Sequence, residues 1–241
     1  MDSGQFNLHA QMEDRHWWFV GRREIIYEIL RRYVPPHQDN HVLEIGCGTG
    51  GNLRYLLGSY RGTGVDIAPE AVRYARDRVD CPVFEGDFRA LGKELFADVD
   101  VVLLADVLEH VADDRLFLSD ILARLKPGAI VLVTVPAHDF LWSNHDLVLG
   151  HLRRYSRDKL QVLLDGLPAG LLCCTFFNSV LFPLISLYRL LHKGKSTASD
   201  LTLPLTPVNS LLLFLFRMEK YFLKIAPLPW GVSLLAVLKK N

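Results

Sequence analysis

The 241-residue chain has no surplus of charge: 27 Lys and Arg stand against 27 Asp and Glu, for a formal net charge of zero. A general nucleic-acid binder normally carries a clear basic excess, so the balance argues against that class. Cysteine is scarce. Cys47, Cys81, Cys173 and Cys174 form neither metal-ligand spacing nor a disulfide framework, so no metal is expected. No apolar run reaches the roughly eighteen uninterrupted residues of a membrane-spanning helix. The opening stretch "MDSGQFNLHAQMEDRHWW" lacks an apolar segment of signal-peptide type, which points to the cytosol. Internal repeats and low-complexity tracts are absent too.

What is present alternates. "VGRREIIYEILRRY" places Ile25, Ile26, Ile29, Leu30 and Tyr33 at helical spacing, and Pro35-Pro36 ends it. Short apolar runs then follow one another with amphipathic helices between them: "HVLEI", "GTGVDI", "PVFEG", "DVDVVLLAD" and "AIVLVTV". Such alternation predicts a parallel sheet covered by helices on both faces. The expected domain is single, spanning 1–241. It has a helical lead-in over 1–36, a cofactor-binding core over 40–177, an apolar helical insertion over 178–229 and a last strand over 230–241.

Within "HVLEIGCGTGGNL", Gly46, Gly48 and Gly50 form a strand-to-helix turn that lets a ligand approach the backbone. Turns of this kind usually hold a pyrophosphate, but Glu44 just before it makes the turn unwelcoming to phosphate. Asp66 ends the second strand, where a carboxylate accepts both hydroxyls of a ribose. Asp87 can accept from an exocyclic amine, with Phe88 beside it to flank a flat base. A nucleoside whose remaining part is cationic or zwitterionic fits this set. Gly46, Gly48 and Gly51 also satisfy the dinucleotide pattern, which keeps a nicotinamide-dependent oxidoreductase as an alternative. A membrane-associated protein that keeps the fold without catalysis is a second one.

The motifs "VLEIGCGTG", "GVDIAPEAV", "GDF", "LADVLEHV" and "LKPGAIVLVTVP" together resemble the class I S-adenosylmethionine-dependent methyltransferases over residues 40–136. The resemblance implies a Rossmann-like α/β fold: a seven-stranded, mostly parallel sheet with its last strand antiparallel. Here a helical insertion lies between strands six and seven. It implies S-adenosylmethionine as cofactor and a small-molecule acceptor. In that picture Asp66 and Ile67 meet the ribose, and Asp87 and Phe88 the adenine. Glu44, Gly46, Cys47, Gly48, Gly50 and Asp106 surround the methionine end. "HWWFVGRR" is similar to a lead-in helix whose arginine, Arg22 or Arg23, reaches the cofactor carboxylate, with Trp18 facing the acceptor.

Ligands of open parallel sheets bind outside the carboxyl ends of the strands. The twenty or so residues after strand five, from Pro136 to Tyr155, are therefore expected to form an irregular acceptor wall. Trp142, His151, Arg154 and Tyr155 are its candidate contacts. His145 and His138, each followed by an aspartate, and His110 in "LEH" are the candidate bases. "LWSNHDLVLGHLRRYS" resembles a segment of bacterial methyltransferases linked to lipid, glycan or secondary-metabolite pathways. The insertion holds two apolar stretches, "NSVLFPLISLYRLL" and "NSLLLFLFRMEKYFLKI", joined by a polar connector over 192–207. Packing on the sheet edge or on another subunit is one expectation for them. Roofing a pocket for a lipid-like acceptor, with peripheral membrane contact through 178–226, is the other.

Overall fold

The computed structural model describes residues 10–191 and 203–241. The first nine residues of the polar N-terminal stretch and residues 192–202 of the connector lie outside the described residues. Eight α-helices and seven strands are defined among the described residues. Helix α1 (Trp17–Tyr33) precedes β1 (His37–Ile45), α2 (Gly51–Leu56), β2 (Tyr60–Asp66), α3 (Pro69–Arg78) and β3 (Val83–Glu85). Then come β4 (Val101–Ala105), α4 (Asp114–Leu122), β5 (Ile130–Pro136), α5 (Asn144–Leu149), α6 (Arg157–Leu164) and β6 (Ala169–Phe177). The insertion contributes α7 (Phe182–Leu191) and α8 (Thr206–Leu223), and β7 (Ser233–Lys240) closes the chain.

The strands form one sheet in the order β3-β2-β1-β4-β5-β7-β6. All neighbours are parallel except the pairs made by β7, which runs antiparallel to both β5 and β6. Every residue of β4 and β5 is buried. A strand covered on both faces has no polar side to show, which is why these runs are apolar without alternation. One face packs on α4 and α6 through Leu118, Ile121, Leu122, Leu160 and Leu163. The other packs on α1 and α8 through Ile25, Ile26, Ile29, Phe216 and Leu223. The order reverses between β1 and β4, opening the crevice where ligands of such sheets bind.

The helix ends follow local chemistry. His16 caps α1 by accepting from the Trp18 N–H, Pro69 opens α3 where a missing N–H costs nothing, and Asp113 caps α4 by accepting from Leu116. The segment expected to be irregular after β5 is instead ordered. A 3-10 turn over Asp139–Leu141 leads into α5, whose start carries a Ser143–Asp146 capping box and whose end is Gly150 in the left-handed region. Two of the loop's own residues supply that box, so the wall is built from short regular pieces.

Helices α1 and α8 meet at Gly21, where a Cβ would stand 2.3 Å from Phe216 Cδ1. Phe216 is fully buried and stacks with Trp18 and Phe177, so it has no room to yield. Helix propensity alone favours alanine over glycine by about 1 kcal/mol, whereas overpacking costs about 1–3 kcal/mol. Gly21→Ala is therefore expected to lower Tm by about 2–6 °C, with Phe216→Leu on that background restoring it. A Tm at or above wild type for Gly21→Ala alone would show that the contact is loose.

Among the described residues no helix is long and apolar enough to cross a membrane. The two insertion helices nevertheless leave much apolar surface outward, including Leu187, Tyr188, Leu191, Leu211, Phe214 and Tyr221. Only Ser186 is buried on α7, whereas α8 buries Phe216, Glu219 and Leu223.

Candidate active site

Strand β1 stops at Ile45 because the next residues turn away. Gly46, Gly48 and Gly50 all have positive φ, and the Gly46 and Cys47 N–H groups both donate to Val65 O on β2. At Gly48, with φ +54°, an added Cβ would meet nothing within 4 Å, so the space above the turn is open to a ligand. Gly50 is the N-cap of α2. Cys47 is buried, and burial pushes its thiol pKa up, so it packs rather than reacts.

Asp66 closes the far side of the turn. Its Oδ2 accepts the Gly48 N–H at 2.8 Å and its Oδ1 the Ala68 N–H at 2.9 Å. Each carboxylate oxygen can accept again, so the group is fixed in place and still able to take two hydroxyls. Ile67, next to it, is 76% exposed. Asp87 is exposed, its Oδ1 accepting the Arg89 N–H at 2.8 Å. Phe88 is a correction: its ring is buried in the core, edge-on to Phe96 and Phe117, and does not flank an open base site. The open apolar surface at this rim belongs to Ile67.

Glu44 lies under the glycine turn and is almost wholly buried. Asn52 Nδ2 donates to its Oε1 at 2.8 Å, while Oε2 is buried with no partner. Burial pushes its pKa up to about 8, against the pull of Asn52 and Arg22. Arg22 is paired with Asp106, which also accepts from Thr134 Oγ1 at 2.9 Å. Two residues expected at the methionine end are thus partners in this structure. Glu44, Asp66 and Asp106, with Arg22, line this part of the rim. An orphaned buried carboxyl oxygen beside an open glycine cradle suits a ligand with a cationic end. S-adenosylmethionine, with its ammonium and sulfonium, fits that donor set, and a pyrophosphate does not.

Beyond β5 the sequence candidates separate. His138 has φ +61°, its ring lies parallel to Phe176 at 5.1 Å, and its Nε2 is buried without a partner. Burial, helped by Arg154, holds its pKa below the ordinary histidine value, against a hydrogen bond with the Gly231 backbone. Neither aspartate serves the histidine before it. Asp139 pairs with Lys159, and Asp146 serves His151 and Arg154 instead of His145. Asp146 Oδ1 is 2.8 Å from His151 Nδ1 and from Arg154 Nε, and Oδ2 accepts Arg154 Nη2 at 3.0 Å. Burial raises this carboxyl, but those bonds outweigh it and hold the pKa well below the usual range.

Three expected acceptor contacts are therefore bonded internally, His151 through its Nδ1 on Asp146. Arg154 is buried on Asp146 and on Ala137 O, and the Tyr155 hydroxyl donates to Asp114 Oδ2 at 2.7 Å. Trp18 is half-buried, stacked on Phe177 and Phe216. Trp142 and His145 are half-buried on the wall.

One grouping had no signal in the sequence. Among the described residues, Glu109, His110 and His151 bring one possible ligand atom each within 4.8 Å of one another. Glu109 is fully buried with both carboxyl oxygens unpartnered, and burial, with Asp106 adding to it, pushes its pKa well above the ordinary carboxyl range. A carboxylate with two imidazoles is a donor set able to hold a divalent cation. No spacing rule could find it, because His151 arrives from a different loop.

The sequence profile described as "Methyltransferase domain" matches residues 18–176. A ubiquinone biosynthesis O-methyltransferase of Parvibaculum lavamentivorans is 32% identical over 168 residues, covering 65% of this chain and 66% of that protein. A probable S-adenosylmethionine-dependent methyltransferase of Mycolicibacterium smegmatis is 29% identical, over 68% of this chain and 63% of that one. The chain thus spans slightly under two thirds of the length of these relatives. Among solved structures, a putative methyltransferase of Haloferax volcanii in complex with the Trm112 activator has a TM-score of 0.61 at 21% identity, over 99% of this chain and 94% of that one. The plantazolicin methyltransferase, solved with S-adenosylhomocysteine, has a TM-score of 0.61 at 17% identity, over 98% of this chain and 89% of that one. Those two likenesses speak for the fold, the profile speaks for the sequence, and both agree with a glycine cradle rimmed by carboxylates: the chain belongs to the class I S-adenosylmethionine-dependent methyltransferase family.

Proposed function

We propose that this protein transfers the methyl group of S-adenosylmethionine to a hydroxyl oxygen of an apolar small molecule, with His138 accepting the proton. The observation that carries the cofactor half is the buried, half-satisfied Glu44 beneath a glycine turn open at Gly48. The cofactor, when bound, supplies an electrophilic methyl carbon on a sulfonium. Asp66 holds the ribose hydroxyls, Ile67 lies against the base and Asp87 accepts from its amine. Glu44, Arg22 and Asp106 neutralise the amino-acid end.

On the acceptor side, with the cofactor bound, the hydroxyl oxygen would take the methyl group while sulfur would keep the electron pair of the broken C–S bond. The hydroxyl proton moves to His138 Nε2, the ring nitrogen left without a partner. A histidine kept neutral by burial is ready to accept it at physiological pH. An oxygen acceptor is favoured by the relative from Parvibaculum, an O-methyltransferase by name. An apolar one is favoured by the aromatic wall of Phe176, Phe182 and Phe140 around His138. The exposed apolar stripe on α7 and α8 is also the surface through which peripheral contact with lipid would be made. The nicotinamide alternative falls with the family assignment.

Calorimetry with S-adenosylhomocysteine and a radiolabelled methyl-transfer assay test the two halves separately. His138→Gln is expected to reduce turnover about 10²–10⁴-fold while S-adenosylhomocysteine affinity stays within about threefold. The pH profile carries the sign. The His138 pKa is lowered from 6.5, so wild-type turnover persists at pH 6.5 and falls only as the pH drops through that lowered value. The variant loses that acidic limb. An unchanged limb in His138→Gln would remove His138 from the reaction.

A further inference from the structure

Three non-glycine residues have positive φ among the described residues: Asp106 at +59°, His138 at +61° and Asn178 at +55°. Their placement is not scattered. Asp106 directly follows β4, His138 comes two residues after β5 ends at Pro136, and Asn178 directly follows β6. β6 runs antiparallel to β7 and β7 antiparallel to β5, so β6 points the same way as β5. All three therefore stand on one rim, the carboxyl edge that holds the glycine turn. The backbone stitches them together. Asp106 N–H donates to Thr134 O, Ala137 N–H to Val232 O, and Val232 N–H to Asn178 O. Left-handed backbone is uncommon at residues bearing a Cβ, although Asp, Asn and His enter it more readily than most, and such positions gather at functional sites.

Two of the three already have roles in the proposed reaction, and Asn178 has none. It is fully buried, yet neither Oδ1 nor Nδ2 of its carboxamide has a partner. Its turn is held rigidly. Ser179 and Val180 donate their N–H groups to Glu219 Oε1 on α8 at 2.6 and 2.9 Å, and Ser179 Oγ donates to Trp230 O. Glu219 is itself fully buried and its Oε2 has no partner either. On the preceding residue, the Phe177 ring stacks against Trp18. A turn clamped from two sides around an unsatisfied amide is a poor solution for stability alone, because an apolar residue would avoid the buried polar atoms.

We propose that Asn178 anchors the methyl acceptor: its carboxamide holds a second, neutral polar group of that molecule while His138 takes the proton from the first. The inference rests on the hydroxyl-acceptor reading above. The recognised group is one that both donates and accepts, a hydroxyl or a carboxamide. A carboxylate would offer nothing to Oδ1 and would sit beside the buried Glu219, and an ammonium would leave Nδ2 unpaired. Asn178 stands two strand positions from His138, about 10 Å between backbones.

The test uses the full chain with two probes, 4-octylcatechol and 4-octylphenol, which differ by one hydroxyl. Binding to the protein loaded with S-adenosylhomocysteine is read by tryptophan fluorescence, to which Trp18 beside Phe177 contributes, and methyl transfer is read separately. Asn178→Gly removes the amide and relieves the positive φ, so the turn is kept. Asn178→Asp retains the acceptor without the donor. The expected result is catechol binding weakened at least tenfold in both variants, phenol binding changed less than threefold, and S-adenosylhomocysteine affinity unchanged. Equal losses for both probes, no loss for either, or no binding of either probe to wild type would overturn the assignment. Catechol binding that depends on Asn178 without any methyl transfer would uphold the anchor and sink the oxygen-acceptor reading instead.

Discussion

Asp66→Ala is expected to weaken S-adenosylhomocysteine binding by at least tenfold, and by about 10²–10⁴-fold if both ribose hydroxyls are lost. Two hydrogen bonds to a charged acceptor are worth about 1.5–3 kcal/mol each, and each factor of ten in affinity is about 1.4 kcal/mol. The structure adds a reason for the upper part of that range. Asp66 also accepts the Gly48 and Ala68 N–H groups, so its removal loosens the glycine turn as well as the ribose contact. Asp66→Asn separates the two effects: one amide oxygen can keep one backbone contact, but the group no longer accepts on both sides. Calorimetry should rank wild type above Asn and Asn above Ala. Equal affinity in all three would remove Asp66 from the cofactor site.

Glu44→Gln is expected to act in opposite directions on stability and on binding. Burial raises the Glu44 pKa from 4.5 to about 8 in the folded chain. Between those values the unfolded chain has lost a proton that the folded chain retains, so this group makes stability fall as pH rises. The slope is about 1.4 kcal/mol per pH unit, and over the whole window the contribution is on the order of a few kcal/mol. Glutamine cannot ionise. Its gain in stability in the cofactor-free protein should therefore be small near pH 4.5 and largest near pH 8. Glu109 and Glu219 are shifted in the same direction, so the wild-type slope does not vanish in the variant but becomes shallower.

Binding runs the other way. A cationic ligand end favours the ionised carboxylate, so uptake of S-adenosylmethionine below pH 8 should release a proton from Glu44, and affinity should climb with pH until that release is complete. In Glu44→Gln the climb should be lost, with affinity at least tenfold lower at pH 8. Calorimetry in buffers of different ionisation enthalpy reads the proton directly. Identical proton release in variant and wild type would show that Glu44 is a buried structural acid with no part in binding the cofactor.

Much of the scaffold was legible from residue pattern. Near-continuous apolar strands such as "VVLLA" and "AIVLVTV" can only be covered on both faces, and the helices between them supply the cover. The glycine spacing and the acidic residues at strand ends define one rim of the molecule from sequence, because strand ends and tight turns are local events. Phe88 shows the limit. Being next to Asp87 says nothing about which way a ring points, and the packing of Phe96 and Phe117 turned it inward. Ile67 took the open position because β2 ends one residue earlier.

The acceptor side depended on contacts between distant segments. His145-Asp146 and His138-Asp139 look like pairs in the chain, but neighbours in sequence project apart, and the capping box turned Asp146 toward His151 and Arg154. Arg22 and Asp106, 84 residues apart, were joined only when α1 packed over the end of β4. Local sequence thus determined the parallel sheet, the glycine turn and the carboxylates beside it, since each follows from side-chain periodicity or backbone sterics within a few residues. Tertiary structure alone decided which acids remain unpaired, that His138 keeps its Nε2 without a partner, and that Asp106, His138 and Asn178 share one edge. Burial and partnership are properties of the whole packed chain, and no short stretch of residues carries them.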